Sequence, residues 1–174
     1  MMKDCIINRD ALLALRELPH ESVYCCVTSP PYYALRDYGL DAQIGQEETP
    51  EQYIEKLVCV FRELRRVLRS DGTFWLNIAD TYCGTGSKGI YRDPRNPNGR
   101  NGQAFALNSR VSGCKQKDLI GIPWMLAFAL RSDGWYLRSD IIWQKDNPMP
   151  ESCKDRPSRC YEHIFLLAKS KHYY

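Results

Sequence analysis

A hydroxyl, bare carbonyl oxygens and two phenol rings stand together in Ser29-Pro30-Pro31-Tyr32-Tyr33, directly after the apolar run Val23-Tyr24-Cys25-Cys26-Val27. Each proline fixes φ, lacks an N–H and pushes its predecessor out of the helical region, so Ser29 and Pro30 are both held extended. Their carbonyls cannot enter a helix, and the strand tip ends in a stiff loop suited to holding a flat group that bears an amine. The same residues also fit a polyproline II ligand for a small adaptor domain, or a rigid strand exit with no further task. Against the ligand stands its place between an apolar strand and a long amphipathic helix, where an adaptor would find no flexible polar tail.

The run lies within a longer succession. Ile6-Ile7-Asn8-Arg9-Asp10-Ala11-Leu12 precedes it; Gly72-Thr73-Phe74-Trp75-Leu76-Asn77-Ile78, then Gly134 to Lys145, then Tyr161 to Ser170 follow. Ser29-Pro30-Pro31-Tyr32 resembles motif IV of the DNA amino-methyltransferases, which methylate the exocyclic nitrogen of cytosine (N4) or adenine (N6), and the flanking segments resemble that family's strands in order over nearly the whole chain. The order is similar to the family's permuted beta class, in which the catalytic half comes first and the S-adenosylmethionine-binding half, with a Phe-x-Gly-x-Gly loop, comes last. No Phe-x-Gly-x-Gly occurs here. The resemblance therefore implies a single, partial methyltransferase domain over residues 1–174, completed by a C-terminal half or a second chain that carries the cofactor loop.

The fold that the resemblance implies is α/β, Rossmann-like, with a mostly parallel sheet flanked by helices, Val23 to Val27 central and the Ser29 loop at its C-terminal edge. The implied cofactor is S-adenosylmethionine and the implied partner is double-stranded DNA. Ser29 Oγ and the Pro30 carbonyl become acceptors for the hydrogens of the target amine, held in place by Pro31, and Tyr32 stacks on the base once it is flipped from the duplex. Tyr33 is read as loop packing. Asp10 stands where the family's strand-end acid meets the cofactor, and it also suits the N-cap of the following helix. Trp143 and Lys145 end a strand and take supporting roles, because ligands gather at that edge of an α/β sheet. Serine before Pro-Pro favours cytosine N4, with adenine N6 or a non-catalytic DNA-binding remnant as alternatives.

The elements that must position these groups are legible from patterning. A strand from Asp4 to Asn8, a short helix from Asp10 to Glu17 and the strand before Ser29 come first. Thr49-Pro50-Glu51 reads as a helix start, followed at helical spacing by Ile54, Leu57, Val58, Phe61, Leu64 and Leu68. Arg69-Ser70-Asp71-Gly72 and Arg131-Ser132-Asp133-Gly134 are identical in sequence and read as the same helix-turn-strand device used twice, with glycine closing each helix. Successive crossovers of this kind argue for α/β architecture.

Charge and cysteine content limit the other function classes. A net charge of +3 is too small to imply nucleic acid by itself, but between residues 81 and 117 Lys88, Arg92, Arg95, Arg100, Arg110, Lys115 and Lys117 face a single acid, Asp93. This stretch lacks an apolar period and reads as a basic flexible loop, either a phosphate clamp or a solvated insertion. The 8 cysteines include no Cys-x-x-Cys pair, which disfavours a metal site and leaves Cys5, Cys25, Cys26 and Cys59 as core thiols within strands and a helix. No apolar run approaches membrane-spanning length, and the N-terminus lacks a signal-peptide pattern, so the expected location is the cytoplasm.

Overall fold

The computed structural model describes residues 4–40, 42–84, 111–148 and 155–174 in full, and 89–90 and 104–105 by their backbone. Asp10 ends the first segment as an N-cap, its Oδ1 accepting from the backbone N–H of Leu13 at 3.0 Å, and helix α1 runs Ala11–Glu17. Strand β1 is Val23–Thr28. Helix α2, Pro50–Val67, begins as its sequence dictates: Thr49 Oγ1 accepts from Gln52 N, and proline sits in the first turn, where its missing N–H costs nothing. Tyr53, Ile54, Leu57, Phe61 and Leu64 form its buried stripe. Strand β2 spans Leu68–Ile78, the two-residue strands β3 (Gly89–Ile90) and β4 (Ala104–Phe105) pair with each other, helix α3 spans Ile122–Ser132, and strands β5 (Tyr136–Gln144) and β6 (Tyr161–Ala168) close the chain.

The main sheet has the order β1-β2-β6-β5. β1 pairs with β2 in parallel, and β2 with β6 and β6 with β5 pair antiparallel. The sheet is thus mixed: β1, β2 and β5 share one direction, as a mostly parallel sheet requires, and β6 is the reversed strand inserted between β2 and β5. β1 is an edge strand of this sheet, not its centre, and its Tyr24 and Val27 are 71% and 76% exposed.

Period-two alternation divides the sheet into two faces. Phe74, Leu76, Ile78, Phe165 and Leu167 point to one face, and all five join the core with α2 and α3 packed over them. Phe61 meets Phe74 at 4.8 Å between ring centroids, and Trp124 of α3 meets Phe165 at 5.4 Å. Each fully buried large side chain, such as Phe74 or Phe165, contributes roughly 2 kcal/mol by removal from water. Trp75, Asn77, Glu162, Ile164 and Leu166 point to the other face and are only half-buried.

Three expectations are corrected. Residues 4–8 do not form a strand: their backbone pairs with no strand of the sheet, and Ile6 is 96% exposed. An apolar extended segment without a neighbour to take its N–H and C=O groups remains irregular. The two Arg-Ser-Asp-Gly runs also differ. The second closes α3 with Gly134 at φ +96°, whereas the first lies inside β2, where Gly72 has an ordinary φ and is needed for space, since an added Cβ would meet the Tyr24 carbonyl oxygen at 2.7 Å. Cys5, Cys25 and Cys59 are exposed, and the buried thiol is Cys83. Cys25 lies on the sheet face opposite the helices, Cys59 on the outer side of α2, and Cys5 off the sheet, so none reaches the core. All described cysteines are free, and Cys153 lies outside the described residues.

Candidate active site

β1 delivers Ser29 to the edge of the sheet where β2 and β5 end and β6 begins, so four strand termini converge there. The loop is held from behind. Pro30 is buried and Tyr33 is fully buried, its ring 5.4 Å from that of Tyr53 on α2. The Tyr53 hydroxyl donates to the Pro31 carbonyl at 2.8 Å, and Thr81 Oγ1 donates to the Tyr33 carbonyl at 2.9 Å. Burial raises the Tyr53 phenol well above its usual pKa, so it stays protonated and donating. Gly45 takes φ +102° and lies so close that a Cβ would meet the Tyr32 carbonyl oxygen at 2.9 Å, while its own carbonyl accepts from Ala34 N.

In front of the loop lies an open cleft of about 550 Å³, lined by Ser29, Pro30, Pro31, Tyr32, Arg36, Asn77, Trp143, Lys145 and Glu162 among others. The four residues assigned to catalysis from sequence and the two supporting ones, Trp143 and Lys145, therefore come together. Within the cleft the polar groups form one connected set. Ser29 Oγ donates to Tyr32 Oη at 3.1 Å, and Tyr32 Oη donates to Glu162 Oε2 at 2.7 Å. Asn77 Nδ2 donates to both Tyr32 Oη at 3.1 Å and Glu162 Oε2 at 2.9 Å. Lys145 Nζ pairs with Glu162 Oε1 at 3.1 Å and sits 3.6 Å from the centroid of the Trp143 ring. Among the described residues, nothing donates to the carbonyl of Pro30.

Burial pushes the Tyr32 phenol up to about 12, with the Glu162 carboxylate acting the same way and the Ser29 hydroxyl opposing it. Burial also pulls the Glu162 carboxyl upward, but the donors Tyr32, Asn77 and Lys145 outweigh it and hold the group below its usual range. Neutral Tyr32 beside ionised Glu162 is the resulting state at neutral pH.

Asn77 and Glu162 carry no role in the sequence reading. Their signal is a polar residue breaking an apolar strand near its end, in Phe74-Trp75-Leu76-Asn77-Ile78 and Tyr161-Glu162-His163-Ile164. The register that brings them to one side of the sheet, Asn77 opposite Ile164 and Trp143 opposite Glu162, is a pairing between distant segments that patterning does not reveal. Donation to Glu162 fixes the amide's sense, since turning it over would face Oδ1 to the carboxylate; in this sense Oδ1 is buried with no hydrogen-bond partner among the described residues.

Asp10 stands apart from this cleft. It borders a second cavity of about 590 Å³ with Ile44, Gln46, Glu47, Gln52 and Lys56. Its cap bond uses Oδ1 and the residue is exposed, so Oδ2 is open to a ligand hydroxyl or ammonium group. Lys88, Arg92, Arg95, Arg100 and Arg110 lie outside the described residues. The ends of their segment are joined, with Tyr82 bridged to Leu119, Cys83 N donating to the Asp118 carbonyl and Lys117 N to that of Cys83. Lys117 itself pairs with Asp155.

Residues 23–174 match the model of the family described as DNA methylase. A Type II methyltransferase of Citrobacter freundii, M.Cfr9I, is 56% identical over 97% of this chain and 55% of its own length. M.SmaI of Serratia marcescens is 51% identical over 99% of this chain and 59% of its own. The chain thus spans little more than half the length of these relatives. Among solved structures, the cytosine-N4-specific PvuII DNA methyltransferase superposes with a TM-score of 0.65 at 16% identity, over 95% of this chain and 49% of that one. A putative DNA modification methylase from Thermus thermophilus, complexed with S-adenosyl-L-methionine, gives 0.61 at 22% identity, over 95% and 53%. At these identities the two structures establish the shared fold.

Proposed function

The chain belongs to the DNA methylase family, and from that premise we propose that it is the catalytic part of a Type II DNA methyltransferase that moves a methyl group from S-adenosylmethionine to the exocyclic amine of a flipped base, cytosine N4 in preference to adenine N6. The observation that carries this reading is the convergence on one cleft at a sheet edge of Ser29, Tyr32 and Pro30, whose carbonyl accepts from none of the described residues.

The chemistry follows from the amine. Its lone pair is delocalised into the ring, and it becomes nucleophilic only as the nitrogen turns tetrahedral. Ser29 Oγ and the Pro30 carbonyl accept its two N–H groups and hold that geometry, and the same acceptors stabilise positive charge on nitrogen until one of those protons is lost through the open cleft to water. The prolines and the Tyr53 anchor keep the acceptors from reorganising. Tyr32 offers its ring to the extruded base, with its hydroxyl tied down by Glu162 and Asn77. S-adenosylmethionine, when bound, supplies an electrophilic methyl on sulfonium; Asp10 Oδ2 suits one of its hydroxyl or ammonium groups.

Two further parts complete the proposal. The half-buried sheet face around Trp75, Ile164 and Leu166, the free edge of β1 and the unpaired apolar segment at Ile6-Ile7 support a C-terminal half, or a second chain, that packs there and brings the remainder of the cofactor site. The basic stretch from Lys88 to Arg110 supplies phosphate contacts, a role supported by its excess of cations over acids in the sequence. No helix among the described residues is long and apolar enough to cross a membrane. The Type II relatives support a place in a restriction-modification system, with the cytoplasm as the proposed location.

The test is a methyl-transfer assay with duplex DNA and isotopically labelled S-adenosylmethionine, on the chain alone and on the chain joined to a relative's C-terminal half. Digestion to nucleosides identifies the product. N4-methylcytosine supports the reading as stated, N6-methyladenine corrects the base, and no methylated base from the joined protein rejects it.

A further inference from the structure

The cleft holds more polar order than acceptance of an amine requires. Glu162 is ionised and must accept; the Asn77 amide nitrogen can only donate. Tyr32 has one hydroxyl proton, and at 2.7 Å the carboxylate takes it as a charge-assisted bond. The phenol oxygen is then left with acceptor capacity alone, and both positions are used, by Asn77 Nδ2 and by Ser29 Oγ. Ser29 in turn has one proton, and it is spent on Tyr32. The residue is exposed to the cleft, so its remaining capacity toward a ligand is two lone pairs.

From this directional chain we infer that Glu162 is a positioning residue that acts through Tyr32 to turn Ser29 into an acceptor-only group, so that the site admits a base carrying an amine at the reacting position and rejects one carrying a carbonyl oxygen there. The inference rests on the function proposed above and deepens it: the discriminated pair is cytosine against uracil, or adenine against hypoxanthine. A carbonyl oxygen placed at Ser29 would meet lone pairs on Oγ and on the Pro30 carbonyl, with no donor in reach unless the whole chain reverses. Reversal would require Tyr32 to give up its bond to a carboxylate, leaving Glu162 with fewer donors inside the cleft. Lys145 and Asn77 secure the chain at its source, since their bonds keep Glu162 ionised and fixed on the face of β6 that meets Tyr32.

Glu162→Gln keeps the shape and removes the fixed direction, because a glutamine amide can donate to Tyr32 and let the chain run the other way. Tyr32→Phe keeps the ring and removes the relay. Both are made in the joined protein, and circular dichroism melting verifies folding; if Glu162→Gln does not fold, Tyr32→Phe decides. The measurement is competition binding of duplexes whose methylated position, set opposite an abasic site, carries either cytosine or uracil (adenine or hypoxanthine if adenine is the product). A site that orients a hydrogen bond rejects the wrong partner strongly, so the unaltered protein should prefer the amine by about 100-fold or more, and each variant should bring the ratio within about tenfold at unchanged affinity for non-specific DNA. The double variant should be no worse than Tyr32→Phe alone, because Glu162 acts through Tyr32. Unchanged discrimination in both variants would overturn the inference and leave the methyltransferase reading intact. Absence of both methylation and discrimination in the unaltered protein would reject the two together.

Discussion

The hydroxyl of Tyr53 donates to the carbonyl of Pro31 at 2.8 Å, so the first turn of α2 grips the loop that carries Ser29. One hydrogen bond thus links helix packing to the geometry of the site, and the ring behind it packs on Tyr33 in the core. Tyr53→Phe should cost about 1 kcal/mol of stability, the usual net value of one such bond, and lower methyl transfer more than cofactor or DNA affinity. Urea unfolding together with single-turnover rates checks both parts.

Gly72 should resist even alanine. The new Cβ would meet the Tyr24 carbonyl oxygen at 2.7 Å and Leu68 Cγ at 2.8 Å, and backbone oxygen cannot swing aside as a side-chain end can. Separation of β1 from β2 at that point should destabilise the protein by roughly 1–3 kcal/mol, in the range of overpacked sites. Gly113→Ala meets nothing within 4 Å, but its φ of +80° carries backbone strain of its own, so it is not a neutral control. The direct readout is the urea midpoint of Gly72→Ala against the unaltered chain.

Asp80 caps α3 from a distance. Gly121 opens that helix and has no side chain to cap it, yet the N–H groups of Gly121 and Ile122 both donate to the Asp80 carboxylate at 3.0 Å. Asp80→Ala should cost about 1 kcal/mol or somewhat more, as for loss of an N-cap, and Asp80→Asn less. Thermal melts of the two variants give the order.

Much of this was legible in the chain, and the misses share a physical cause. The stiff Ser29 loop, both capped helix starts at Asp10 and Thr49, and the buried stripe of α2 follow from local rules of backbone and periodicity. Asn77 and Glu162 escaped because their meaning comes from β2–β6 register, set between segments 85 residues apart. The strand expected at Asp4 to Asn8 has the right composition, but a strand also needs a neighbour, which composition does not supply. Likewise the two Arg-Ser-Asp-Gly runs are alike in letters and differ in structure, because β1 pulls the first into the sheet from Val23 opposite Leu68 onward.

The Tyr32 phenol gives a pH signature. Its pKa in the folded protein is about 12 against an ordinary 10.0, so between these values the unfolded chain has lost a proton that the folded chain keeps. Stability contributed by this group is complete below pH 10 and is lost as pH rises toward 12. Tyr32→Phe should therefore flatten the alkaline fall in stability relative to the unaltered protein. Glu162 works in the opposite sense: with its pKa depressed below 4.5, its contribution is present above that value and is lost as pH falls through the folded one. Denaturant unfolding across the two windows in the paired variants tests both signs.

In the proposed mechanism Ser29 Oγ acts on the amine during methyl transfer. Its most direct test is the single-turnover rate of Ser29→Ala in the joined protein, with S-adenosylmethionine and DNA both saturating. Loss of one preorganised polar contact to a developing charge should slow the chemical step by about 100-fold or more, while DNA affinity stays within about twofold of the unaltered protein. An unchanged single-turnover rate would show that Ser29 is structural and takes no part in methyl transfer.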